Sequence, residues 1–154
     1  MSEVFIRLLS NNELLAVDLE TAKQSNTLLN LIESFNLDKD PTSAEIPLDP
    51  EYNSKTVRQV FEYVAESMKY PKSDENKKEM ELWDKLFFDK IRGSLIDGRW
   101  EGTGDIFNIM KLANYLDIKS ALNASTKYVA LHMIRGKTPE ELRYIFSVPV
   151  ETKS

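Results

Sequence analysis

Residues 135–142, RGKTPEEL, constrain this chain more than any other stretch, because they place a helix stop directly before a helix start. Gly136 reaches, without steric cost, the left-handed conformation in which helices commonly end. Thr138 then supplies an N-cap hydroxyl, Pro139 suits the first helical position, and Glu141 stands where the return half of a capping box belongs. Loss of the Thr138 cap is expected to cost about 1 kcal/mol. Two helices therefore meet at a fixed corner, one running up to Gly136 and one beginning at Pro139.

The rest of the chain leads up to that corner. Val4 to Leu9 and Leu14 to Val17 are short apolar-rich runs separated by Ser10-Asn11-Asn12-Glu13, and paired asparagines tolerate positive φ, so the segment reads as a β-hairpin. Asp18 is placed to cap a short helix starting near Leu19. Leu28, Leu31, Ile32 and Phe35 recur at helical spacing and predict one buried face. After the polar loop 36–44, Glu45-Ile46-Pro47-Leu48 reads as a short strand that Pro47 confines to a sheet edge or a strand end. Asn53 is a candidate cap for a helix whose core face is Val57, Val60, Phe61 and Val64. Residues 69–81 mix charges without apolar periodicity and read as a solvated loop. LWDKLFFDKI, 82–91, predicts a short helix. The segment 92–105 holds glycines 93, 98, 102 and 104 and reads as a flexible loop, and Ile106, Ile109, Met110 and Ala113 then resume a helical face. Strands first, one more short strand, then helices to the end point to an α/β fold in which a small sheet packs on a helical cluster.

Few kinds of chemistry fit these residues. With no cysteine, thiol catalysis, disulfide frameworks and zinc–thiolate sites are excluded, and a reducing compartment is consistent. A net charge of −5 argues against nucleic acid or an acidic membrane as partner. No apolar run approaches the ~20 residues of a membrane span, and Arg7 interrupts the only N-terminal apolar run, so no signal peptide is expected. The single histidine, His132, lies within a helix and lacks a second imidazole or a thiolate, which makes a transition-metal site improbable. Glu140 and Glu141 resemble paired catalytic carboxylates, but they occupy a first helical turn, where acids complete the cap and complement the dipole. The glycine-rich segment has neither the Lys-Ser/Thr ending of a P-loop nor a dinucleotide fingerprint. No catalytic residue, metal or cofactor is expected, and the chain does not read as an enzyme. Trp100 leaves two readings open: it tucks back onto the body, or it is an exposed contact residue.

What remains is apolar excess. Tyr115, Leu116, Ile118, Leu122, Tyr128, Val129, Leu131, Met133, Ile134, Leu142, Tyr144, Ile145 and Phe146 are too many for one narrow helical stripe. Full burial of each would contribute roughly 1.5–3 kcal/mol, so an exposed remainder requires a reason, and a partner surface supplies one. A two-sided core helix is the other.

At these residues the sequence resembles a known family. ANYLDIK (113–119), followed by VA…MIRGKTPEELR..F (129–146), is similar to the signature of the Skp family, the S-phase kinase-associated adaptors of SCF ubiquitin ligases. VDLETAKQS (17–25), IPLD (46–49) and LWDKLFF (82–88) agree in order, so the resemblance spans residues 3–148. It implies a BTB/POZ-type α/β fold with extra C-terminal helices: a core over 1–118 with an insertion at 92–105, receptor-binding helices over 119–148, and a tail over 149–154. It also implies a non-catalytic adaptor of the cytoplasm and nucleus that joins a cullin scaffold to F-box proteins for ubiquitin-dependent degradation. On the motif positions, Asn114 and Tyr115 would face the cullin. Val129, Met133, Ile134, Pro139, Leu142 and Phe146 would receive the F-box. An elongin-C-like adaptor is the related alternative, although that family typically stops near NYLDIK. A divergent BTB-type module that acts through another partner, or as a homodimer when free, is a second.

The sequence departs from the family in three places. The connection from Trp83 to NYLDIK is longer, by the glycine-rich segment, which is positioned to obstruct or extend the cullin-facing surface. A single extra residue lies near Leu131-His132, and one residue added to a helix rotates everything after it by about 100° unless a bulge absorbs it. Where the family continues in an acidic helix ending near a tryptophan, this sequence reads SVPVETKS. The expected consequence is lower F-box affinity or altered partner choice.

Overall fold

In the computed structural model, which describes residues 2–49, 51–70 and 77–146 but not the side chains of Ile145 and Phe146, the N-terminal alternation becomes a sheet. Strand β1 (Glu3–Leu8) is central, antiparallel to β2 (Leu14–Asp18) and parallel to β3 (Glu45–Leu48). Successive strand residues face opposite sides, so Val4, Ile6 and Leu8 of β1, Leu15 and Val17 of β2, and Ile46 and Leu48 of β3 all enter the core. On the other face Arg7 donates two hydrogen bonds to the Glu45 carboxylate, at 3.1 and 2.9 Å. The asparagine turn forms as expected, with Asn12 at φ 61° and the Leu8 N–H donating to Glu13 O at 2.8 Å. Pro47 sits on the edge strand, where its missing N–H costs no ladder bond in the sheet centre.

Helix caps follow the sequence closely. Asp18 accepts from Thr21 N to start α1 (Leu19–Ala22), and Asn53 accepts from Thr56 N to start α3 (Ser54–Ser67). Ser25, which the sequence reading did not single out, caps α2 (Asn26–Ser34) by accepting from Leu28 N. The expected face of α2 changes at its end. Leu28 and Ile32 are buried, but Phe35 is 57% exposed, because the helix stops one residue earlier. Asn36 takes φ 54°, the Leu37 N–H returns to Ile32 O at 2.8 Å, and Leu37 becomes fully buried. This is a Schellman end with asparagine in the glycine position.

Two expectations are corrected further along. Helix α4 (Lys77–Arg92) begins inside the stretch read as a loop, five residues before the short helix expected at Leu82. The reason is a stripe already present in the sequence. Met80, Trp83, Phe87 and Ile91 recur at helical spacing and all pack against the core, with Phe88 wholly buried beside them. Residues 71–76 of that stretch lie outside the described residues. The glycine-rich segment is not an irregular loop either: Leu95–Ile96 (β4) pairs antiparallel with Arg99–Trp100 (β5). Asp97 and Gly98 stand at φ 52° and 79°, the pair of positive values that a tight type I′ hairpin turn requires.

Helices α5 (Thr103–Tyr115) and α6 (Lys119–Val129) pack on each other and on α3, and α7 (Pro139–Phe146) closes the described chain. Between α6 and α7, residues Ala130–Ile134 form a π-helical turn. The result is a mixed α/β fold in which a three-stranded sheet, a two-stranded hairpin and several helices surround one hydrophobic core.

Candidate docking surfaces

Asn114 and Tyr115 form the last turn of α5, and both are exposed. The helix ends there because Asp117 adopts φ 53°, so its N–H returns to Asn114 O at 3.2 Å and the Ile118 N–H to Ala113 O at 2.9 Å. Ile118 and Ala113 are buried, the apolar contact positions of a Schellman end. The carbonyls left over at this end are taken by the N-terminus of α2. Asn26 and Thr27 donate their backbone N–H groups to Asp117 O and Leu116 O at 3.1 and 3.3 Å, and the Ser25 hydroxyl donates to Leu116 O. Two helix ends of opposite polarity thereby satisfy one another. The Tyr115 ring rests on Tyr52 at 5.2 Å between centroids, and Tyr52 is itself buried, which raises its pKa. Tyr115 thus stands 46% exposed with its ring against a buried neighbour.

The second surface begins at the π turn. The Arg135 N–H donates to Ala130 O at 3.1 Å, five residues back rather than four. The wider turn takes up one residue, at the position where the sequence carries one extra. Tyr128, Val129 and Met133 consequently share the inner face, 3%, 4% and 0% exposed. Val129 and Met133 are thus interior, where they seat the helix and offer no surface. Leu131 and Ile134 turn outward at 40% and 38% exposure.

The corner then forms as its residues dictate. Gly136 stands at φ 80°, and the capping box closes in both directions: Glu141 N–H to Thr138 Oγ1 at 3.1 Å, and Thr138 N–H to Glu141 Oε1 at 3.0 Å. The Thr138 backbone N–H, followed by the Thr138 hydroxyl, holds the Glu141 carboxyl below the usual carboxylate range. Pro139 is exposed and Leu142 half-buried, while the Phe146 side chain lies outside the described residues. Of the apolar excess in the sequence, Leu116, Ile118, Tyr128, Val129 and Met133 are core, whereas Tyr115, Leu131, Ile134 and Tyr144 remain at the surface.

The structure adds two features that the sequence reading missed. A groove of about 330 Å³ opens between α4 and the end of α6, lined by Leu82, Asp84, Lys85, Tyr128, Leu131 and His132 among others. The His132 ring lies against Tyr128 at 4.9 Å, and partial burial followed by the Lys85 charge lowers its pKa. Burial raises the Asp84 pKa, although the Tyr63 hydroxyl donates to it at 2.9 Å. The second feature is the hairpin, which packs against α7. It lies at the N-terminal end of α5, roughly 18 Å along the helix from Asn114-Tyr115, so it does not cover that pair. Trp100 resolves as tucked in: its half-buried ring lies under the Arg92 guanidinium at 3.9 Å. An Asp-Gly pair flanked by Leu95-Ile96 and Arg99-Trp100 was the available signal, and four glycines in one segment obscured it.

No family model matches the chain. Curated proteins do. It is 35% identical over 141 residues to SCF ubiquitin ligase complex protein SKP1b of Dictyostelium discoideum, covering 90% of this chain and 80% of that protein. SKP1a of the same organism is 34% identical over the same shares. The E3 ubiquitin ligase complex SCF subunit sconC of Talaromyces marneffei is 30% identical, over 87% of this chain and 78% of its own length.

Proposed function

The chain belongs to the SKP1 family of SCF ubiquitin ligase complex subunits, and from that premise we propose that it is a non-catalytic adaptor joining a cullin scaffold to F-box substrate receptors. In this reading the fold is BTB/POZ-type, with the helices after residue 118 added for the receptor, and the protein works in the cytoplasm and nucleus in ubiquitin-dependent degradation. Asn114 and Tyr115 meet the scaffold. Ile134, Pro139, Leu142 and Phe146 meet the F-box, with Val129 and Met133 setting the position of that segment from inside.

The observation that carries the reading is the group of apolar side chains left in water around the Gly136 corner, in the stretch where the family resemblance is most specific. Leu131 and Ile134 each keep more than a third of their surface exposed while Val129 and Met133 beside them are buried. Covering what remains of each would contribute roughly 1 kcal/mol. The corner is also held by a double cap on one side and the buried inner face of the preceding helix on the other, so a partner meets it with little ordering cost.

Affinity purification with mass spectrometry tests the assignment. Asn114→Lys with Tyr115→Lys is expected to remove cullins from the recovered proteins and leave F-box proteins. Pro139→Ala with Leu142→Asp is expected to deplete F-box proteins, with circular dichroism unchanged. Recovery of neither class by the wild-type chain overturns the proposal.

A further inference from the structure

We infer that the hairpin 93–102 is a platform that holds α7 in its docking orientation, with Arg99 and Tyr144 as the positioning residues. The consequence for receptors rests on the docking function proposed above; the platform itself does not.

The need for a platform follows from the length of α7. Eight residues are fewer than the ~12–15 at which even good helix formers become stable alone in water. The capping box secures only its first turn. Further along, it packs against β5 of the hairpin. Contact centres on Tyr144, in the second turn of α7. Its hydroxyl donates to Asp97 O at the hairpin tip, and the Arg99 guanidinium lies over its ring at 4.4 Å from the centroid. Gly98 is matched to this contact. A Cβ there would stand 3.0 Å from Tyr144 Cε2, so a side chain at the tip would push against the ring, and its φ of 79° independently favours glycine.

A platform must itself be anchored, and the base of this hairpin is. Gly102 N–H donates to Arg92 O at 2.7 Å, Glu101 N–H to Ser94 O at 3.0 Å, and Thr103 Oγ1 to Trp100 O at 3.1 Å. Gly102 passes so close to α4 that an added Cβ would fall 1.7 Å from Ile91 O. Arg92, the last residue of α4, stacks on Trp100. A continuous path therefore runs from the end of α4 through Trp100 and the hairpin to Tyr144. Pro139 and Leu142 share a short helix with Tyr144, so fixing that ring fixes the direction in which they point. The segment that lengthens this chain relative to its family resemblance is thus the one that supports α7.

Hydrogen–deuterium exchange on the full chain tests the platform without any receptor. Arg99→Ala and Tyr144→Phe are each expected to speed exchange of the α7 amides by roughly two- to five-fold, the range for losing one exposed cation–π or hydroxyl contact. Arg99→Lys, which keeps a cation over the ring, should recover part of the protection. Exchange in α3 and α5 should stay unchanged. Unchanged α7 exchange in both variants overturns the platform. A recombinant F-box domain then reads the consequence: Arg99→Ala should quicken its dissociation by a similar factor. Faster α7 exchange with identical dissociation overturns the positioning role. If the wild-type chain binds no F-box domain, the docking function fails, and the exchange result alone decides the platform.

Discussion

Deleting Leu131 should leave the fold intact, although removal of one residue from a helix normally rotates everything beyond it by about 100°. The π turn at Ala130–Ile134 holds one residue more than an α-turn would, so shortening it restores α geometry while Tyr128 upstream and the Gly136 corner downstream keep their places. Leu131 is already 40% exposed, so its loss removes roughly 1 kcal/mol of burial. That corresponds to a fall in Tm of about 2–4 °C for a domain of this size. Deleting Asn123 instead is the control. It lies in regular α6, away from the π turn, and its loss turns Tyr128 and Val129 out of the core, which they enter at 3% and 4% exposure. The expected cost is about 3–6 kcal/mol, a large share of the ~5–15 kcal/mol that stabilises a typical domain. Urea denaturation followed by circular dichroism measures both. Equal destabilisation by the two deletions would refute the reasoning, because the π turn would then not be absorbing a residue.

Two glycines nearby should respond in opposite directions. Gly102→Ala forces a Cβ to within 1.7 Å of Ile91 O and should destabilise by about 1–3 kcal/mol or more, whereas nothing lies within 4 Å of a Cβ at Gly104. Gly104→Ala, in the first turn of α5, should therefore stabilise by about 0.5–1 kcal/mol, and the two denaturation midpoints check this. Asp84→Asn should stabilise the protein at neutral pH and have no effect well below pH 4. The folded-state pKa of Asp84 is raised by burial, so the charge costs stability above that pKa, and below the unfolded value the group is protonated in both states. Asparagine keeps an oxygen for the Tyr63 hydroxyl, and stability measured against pH should show the two curves converging in acid.

Local chemistry made much of this protein legible before any coordinates. Asp18, Asn53, Thr138 and Gly136 end or begin helices where their side chains or backbone freedom require it, because capping involves residues only a few positions apart. The inward faces of β1 and α3 follow from periods of two and 3.6 for the same reason. The motif residues marked the segment proposed above for docking, and the residue read as extra near Leu131 falls within the π turn. Which side of that segment faces outward was not legible. Val129, Met133 and Ile134 are all apolar neighbours, and only packing of α6 against α4 and α5 decides that the first two are core and the third is surface. Leu37 replaces Phe35 in the core because Asn36 reverses the chain, a choice that the core beneath α2 makes. The hairpin was hidden similarly. Glycine-rich sequence permits many conformations, and the contacts of Trp100 with Arg92 and of Tyr144 with Arg99 select one of them. Sequence determined where helices stop and start, because those choices are short-range. Tertiary structure decided which apolar residues stay in water, because burial depends on what the rest of the chain brings alongside.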